Sequence, residues 1–405
     1  MDKKYSFSLF FSLLLIGIIY AFSVSEDPAL GDSLGFTLQG YNGFLFDSNA
    51  TNHILFSNFL SLLYKILPFI NVHFLFVGVS IFCALLSLFY LNTLLEITGV
   101  SRRSSLICIL LLGLSFTFWR QSIITEVYTF YLVFVILFLI HLFKFLQEKT
   151  SRHFYYLSFF LGLLFLIHIQ TILFIPLYAY FLFKNFSFIK RQFFYGLLIT
   201  IALFSILLIP PVLGRHSFAA IFTDNAYEDS LFNFNPGLIF KSIIKNAGFL
   251  IYNFQFFIIF LFPGIKNKKH LDYIIIGILP FLAFCIKHTI SDIYVFHLVP
   301  YLLLLIVIGR GLDRFPGIYL LTPVILPLFY FLSFKIVEKT SFGKQFEKEK
   351  GYKGGTRYML FPPLNQNPDL NYFILKYKQD SLDKDPALRR LYPFVIEWED
   401  IKNKH

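Results

Sequence analysis

Long apolar runs, separated by short polar breaks, dominate the chain. Runs of span length lie near residues 5–24, 72–95, 104–122, 125–146, 154–168, 170–183, 193–212, 243–264, 271–287, 292–309 and 316–334. Each is too continuous for a half-buried strand, and a bilayer core of ~30 Å takes about 20 apolar residues as helix. The pattern predicts about eleven transmembrane helices. Residues 54–68 also read as helix but are shorter and carry Ser57, Asn58 and Lys65, which suits an interfacial or re-entrant piece. The fold class is therefore an all-α polytopic membrane protein, with a transmembrane domain over 1–334 and a short polar tail over 335–405.

The N-terminal stretch "MDKKYSFSLFFSLLLIGIIYAFSVSE" has the basic start and "AFS" of a signal peptide. Its apolar run from Tyr5 to Val24 is nearer span length than a signal peptide's short core, which favours a retained first helix.

Charge sorts the connections. With the N-terminus cytoplasmic, the inner side receives "DKK", "SRR" at 101–103, "QEKTSR" at 147–152, "KNFSFIKR" at 184–191, "KNKK" at 266–269 and "RGLDR" at 310–314. The first outer loop, residues 25–53, has four acids and no Lys or Arg. This is the positive-inside pattern, and only the tail departs from it; long terminal segments cross largely regardless of charge. The net charge of +11 is thus explained by topology rather than by a nucleic-acid surface, since no basic patch interleaved with aromatics occurs. Hydrophobic residues make up 57% and charged residues 15% of the 405, with mean hydropathy +0.67, as in multi-span proteins. Cys83, Cys108 and Cys285 lie within apolar runs and form neither a disulfide framework nor a metal-ligand spacing.

Outside the basic clusters, the ionisable residues fall on one side. Asp32 and His53 lie in the first outer loop, Glu126 and His168 at the outer ends of the fourth and fifth spans, and Lys287, His288 and Asp292 around the turn joining the ninth and tenth. Ionisable groups from separate spans at one membrane level suggest a site facing a wet cavity, although each taken singly reads equally well as a helix cap or a solvated interfacial group. No Walker loop, G-x-G-x-x-G, HExxH or CxxC pair occurs, which leaves nucleotide and zinc chemistry without support. Of the sequons "NAT" at 49 and "NFS" at 185, the second falls on the cytoplasmic side.

Four stretches carry a family resemblance. "GDSLGFTLQGYNGFLFDSNATNHILFSNFLSLLYKIL" resembles a first outer loop reading roughly "GDSGE", then a histidine in "HPPGYPL", then an amphipathic helix ending near a lysine. "FWRQSIITEVYTFYLVFVILFL" resembles an "FW…EVY" helix, "LGLLFLIHIQTILFIPLYAYFLF" a "G-L…H" helix, and "SDIYVFHLVPYLLLLIVIGRGL" a "D-Y-F-P-Y" helix. In this order they resemble the transmembrane protein 260 type of protein O-mannosyltransferase and its bacterial relatives, a branch of the GT-C-type glycosyltransferases, over about the first 310 residues. "GGTRYMLFPP" resembles the start of the soluble region that follows the membrane domain in that family. Two departures stand out: Leu34 and Gly35 replace the acid of "GDSGE", and "ILFSN" follows His53 in place of "PPGYP". They bear on sugar and acceptor more than on reaction class.

The resemblance implies a GT-C-type helix bundle in a bacterial cytoplasmic membrane. It also implies inverting transfer of a sugar from a polyprenyl-phosphate donor to a protein or glycan acceptor on the outer face. Asp32, matching the family's first-loop aspartate and following Gly31 in a flexible loop, is the expected catalytic base. His53, Glu126, His168 and Asp292 would shape the sugar pocket or steady the phosphate. Lys287 and Arg215 are phosphate partners chosen by side and charge alone. The carboxylates could also hold a divalent cation, although no spacing demands one. Partners are then the lipid-linked sugar, the acceptor and membrane lipid, without nucleic acid. A transporter or lipid flippase would have a similar number of spans, but would carry ionisable groups near the midplane and pseudo-symmetric halves. An inactive relative acting as a scaffold is a third reading.

Overall fold

The computed structural model describes residues 3–47, 53–215, 217–222, 234–288, 292–318, 320–380 and 386–404. Among them every regular element is helical. Six helices are long and apolar enough to cross a membrane: Val72–Ile97, Val127–Glu148, Ile169–Ile189, Phe193–Val212, Pro236–Gly264 and Ile293–Leu312. A bent pair, Arg102–Gly113 and Phe116–Ser122, makes a seventh if counted as one span. Tyr5–Ala21, Ile54–Ile66 and Ser151–Ile167 are shorter apolar helices.

Helices apolar on every side must bury one face in protein and give the other to lipid. On Val72–Ile97, Phe76, Ala84, Leu88 and Leu91 are buried while Phe74, Phe82 and Phe89 point outward. Val127–Glu148 and Ile293–Leu312 are the most enclosed of the long helices and form the centre of the bundle. Asn71 caps the start of Val72–Ile97, its side chain accepting from the backbone N–H of His73 and Phe74.

The expected span 104–122 is broken, turning by 65° between Gly113 and Phe116. A break at membrane depth frees backbone groups that must find partners within the protein. Here neighbouring side chains supply them. Tyr20 donates its hydroxyl to the Gly113 carbonyl (2.6 Å), Phe116 N–H donates to the Tyr330 hydroxyl (3.0 Å), and Thr117 N–H donates to Asn253 Oδ1 (2.8 Å). The bend sends Phe116–Ser122 across the end of the bundle at which Asp32 lies.

The first outer loop differs from the flexible segment expected. Asp32 opens a helix, Asp32–Asn42, whose Leu34, Thr37 and Leu38 are buried. Gly40 lies where a Cβ would come within 2.4 Å of the Phe76 ring, so only glycine permits this approach. The "NAT" sequon lies outside the described residues. Asn185 of the other sequon is buried and donates to the Phe181 carbonyl and the Tyr273 hydroxyl.

Residues beyond 338 form further helices, including Ser341–Lys350, Leu370–Asp380 and Pro386–Lys402. They pack on the Asp32 end of the bundle. Asp27, buried in the first loop, accepts from Trp398 Nε1 (2.9 Å) and from Lys402 Nζ (3.0 Å).

Candidate functional site

Each acidic candidate stands where a helix begins. Asp32 is the first residue of its helix after Gly31, which adopts φ 113°. Glu126 is the N-cap of Val127–Glu148, and Asp292 precedes the short 3-10 segment Ile293–His297. Helix N-termini carry partial positive charge and suit carboxylates. Ser33 accepts the Thr125 N–H at its Oγ (3.1 Å), which ties the Asp32 helix to the segment bearing Glu126.

Two cavities meet at these residues. The larger, about 580 Å³, is lined by Asp32, Phe36, Gln39, His53, Tyr128, His168, Asp292 and Phe296, with Phe394 and Glu397 from the tail. The second, about 360 Å³, is lined by Asp32, Ser33, Gln121, Glu126, Tyr128, Asp292 and Tyr294, with Lys353 and Tyr358 from the tail. Asp32, Tyr128 and Asp292 border both.

Burial first, and then the charge of Asp292, push the Asp32 carboxyl above the usual range, while Lys353 draws it back. Glu126 is raised well above its ordinary value by burial, then by Asp32 and Asp292, against the Val127 N–H. Asp292 is raised by burial and opposed by its own backbone N–H, Lys245 and Lys353. Three crowded carboxyls of this kind favour sharing protons over full ionisation.

His53 and His168 form the opposite wall. His53 Nδ1 donates to the Ile167 carbonyl (2.9 Å), and burial pulls the imidazole down to about 4, so it is neutral. His168 ends the helix Ser151–Ile167 in extended backbone, and its Nδ1 accepts the Gln170 N–H (3.1 Å).

An apolar cleft of about 530 Å³ is lined by Phe59, Leu63, Phe74, Phe82, Phe130 and Phe134. A chain of rings connects it to the larger cavity: Phe130 to Phe56 (5.5 Å between centroids) and Phe56 to Phe36 (5.3 Å).

The structure thus brings Asp32, His53, Glu126, His168 and Asp292 together. Lys287 and Arg215 line neither polar cavity. Lys287 Nζ lies over the Phe234 ring (3.8 Å), and Arg215 donates to the Phe46 carbonyl (2.5 Å). Among the described residues no three His, Cys, Asp or Glu side chains are grouped so as to hold a metal ion. Tyr128, Lys353, Tyr358 and Glu397 were not foreseen as site residues. Tyr128 was legible as part of "EVY" and Tyr358 as part of "GGTRYMLFPP", whereas no local pattern marks Lys353 or Glu397.

Residues 36–192 match the family model for the protein O-mannosyl-transferase TMEM260 N-terminal domain. The resemblance read from the motifs holds over this segment. His53, Glu126 and His168 lie inside the TMEM260-type segment, Asp32 just before it and Asp292 beyond it. The fold resembles the crystal structure of ArnT from Cupriavidus metallidurans bound to undecaprenyl phosphate, with TM-score 0.62 at 10% identity over 98% of this chain and 75% of that one. ArnT from the same organism in the apo state gives TM-score 0.58 at 10% identity, over 95% and 73%. No curated protein matches the chain.

Proposed function

We propose that the protein is an inverting glycosyltransferase that moves a sugar from a polyprenyl phosphate to a protein or glycan acceptor on the outer face of the membrane. The observation that carries this reading is the position of Asp32 on the border of two polar cavities, the larger of which is joined by a chain of rings to an apolar cleft. The two cavities together take the donor's sugar and phosphate and the acceptor, and the cleft takes the polyprenyl chain. The TMEM260-type match and the fold shared with an undecaprenyl-phosphate-bound protein support the donor class.

In the reaction, Asp32 takes the proton of the acceptor hydroxyl as its oxygen attacks the anomeric carbon from the face opposite the phosphate. The bond from that carbon to the phosphate oxygen breaks, leaving polyprenyl phosphate and an inverted glycoside. His53, Glu126, His168 and Asp292 hold the sugar, and a raised Glu126 carboxyl can donate a hydrogen bond to it. Tyr5–Ala21, Ser151–Ile167, Leu271–Lys287 and Ile325–Glu338, added to the six long helices and the bent pair, make an arrangement of about eleven spans, with Ile54–Ile66 as the interfacial or re-entrant piece. Residues 335–405 then form the extracytoplasmic tail.

Mass spectrometry of glycans and glycoproteins from cells with and without the gene tests the proposal. A sugar lost on deletion should return with the wild-type gene and not with Asp32→Asn. An unchanged glycan profile on deletion, or full restoration by Asp32→Asn, overturns it in favour of transport or a scaffold role.

A further inference from the structure

A phosphate entering beside Asp32, ionised as the base must be, is repelled unless a cation stands with it. Among the described residues lining the two polar cavities, Lys353 is the one Lys or Arg. It comes from the tail, more than two hundred residues from Glu126 in sequence, and its position is built rather than incidental. Two glycines follow it in left-handed backbone, Gly354 at φ 93° and Gly355 at φ 53°. A Cβ on Gly354 would come within 2.0 Å of Asn367 Oδ1, and one on Gly355 within 1.9 Å of Glu347 Oε2. The left-handed backbone at both positions is what calls for glycine, since other side chains are strained there.

The segment that follows is fastened to the bundle. Arg120, 2% exposed, donates to the carbonyls of Tyr358 (2.7 Å), Phe361 (2.8 Å) and Pro362 (3.0 Å). Leu364 N–H donates to the Ser23 carbonyl (2.7 Å). A buried guanidinium whose donors go to one strap of backbone fixes that strap in place.

We infer that Lys353, presented by the Gly354–Gly355 turn, binds the phosphate of the lipid-linked donor, a role that Lys287 and Arg215 do not fill. The inference rests on the transferase reading above. Its charge also draws down the carboxyls of Asp32 and Asp292, as a cation facing both must. When the donor phosphate arrives, the ammonium offsets its negative charge and then that of the leaving polyprenyl phosphate.

The test measures binding of undecaprenyl phosphate and of undecaprenol, its uncharged alcohol, to the protein in lipid nanodiscs. Wild type should prefer the phosphate. Lys353→Gln should weaken phosphate binding by about tenfold or more and leave the alcohol unchanged, as loss of one charged hydrogen bond implies. Lys353→Arg should retain most of the affinity, a rescue that a misfolded variant cannot give. If Lys353→Gln keeps the wild-type preference, or if the Arg variant falls as far as the Gln variant, the inference is wrong while the transferase reading stands. If wild type does not bind the phosphate, both fall together.

Discussion

The rings of His53 and His168 lie 4.5 Å apart, and their backbone contacts set opposite tautomers. His53 donates from Nδ1 to a carbonyl, so its Nε2 is an acceptor; His168 accepts at Nδ1, so its Nε2 carries the proton. One wall of the cavity therefore offers a neutral acceptor and a neutral donor side by side, the pairing that a sugar hydroxyl satisfies with its own donor and acceptor.

This pairing predicts that His168→Ala lowers transfer by about ten- to a hundredfold, as loss of a buried hydrogen bond to a substrate implies. Glu126→Ala should act in the same direction, while Glu126→Gln, which keeps a neutral donor, should retain more transfer, with expression and membrane insertion near normal in all three. Equal loss of folded protein on size-exclusion chromatography would assign these residues to packing instead.

The acid limb of the pH–rate profile should report the carboxyl cluster. A base works only when deprotonated, so transfer should rise with pH through the raised value of Asp32. Asp292 raises Asp32 and Lys353 lowers it. Asp292→Asn should therefore move the limb to lower pH, and Lys353→Gln should move it to higher pH. Coincident limbs in wild type and both variants would remove Asp32 from the base role.

Orientation can be read by thiol labelling, because Cys83, Cys108 and Cys285 are all buried and give little background. A cysteine at Ser48, outside the described residues, should react with an impermeant reagent in intact cells, and one at Ser151 should not. The reverse result would put Asp32 on the cytoplasmic side.

Asp27 lies in the same loop as Asp32 but has a different task. Its carboxylate accepts from Trp398 and Lys402, so Asp27→Ala should loosen the tail by about 1–3 kcal/mol, the cost of unpairing such groups. Limited trypsin digestion should then cut the tail faster, while an unchanged digestion pattern would show that the contacts of Arg120 and Ser23 hold it without Asp27.

Much of the bundle was legible because its helices are written as uninterrupted apolar runs: the run 271–287 is the helix Leu271–Lys287, and 193–212 matches Phe193–Val212. The break after Gly113 was not, since the side chains that satisfy it, Tyr20, Asn253 and Tyr330, come from three distant helices. The acids and histidines of the candidate site were picked out because the charge pattern of the loops assigns them to one side. The helix Asp32–Asn42 was hidden by glycines at 35 and 40, which lower its intrinsic propensity and are overridden by packing. Lys353 was invisible for a simpler reason. Nothing local in a polar tail tells which of its lysines will be folded back over a site.

The latch between Asp27 and Trp398 also sets an order of events during synthesis. The two residues are 371 apart, and at about 5–20 residues per second the ribosome takes roughly 20–70 s to travel from one to the other. Through that interval the first outer loop has been made but its partner indole has not. The spans can insert one after another while the tail, with Lys353, has yet to close over the carboxylates. On the transferase reading, the carboxyls lack Lys353 through that interval, and transfer would begin only once the tail has docked.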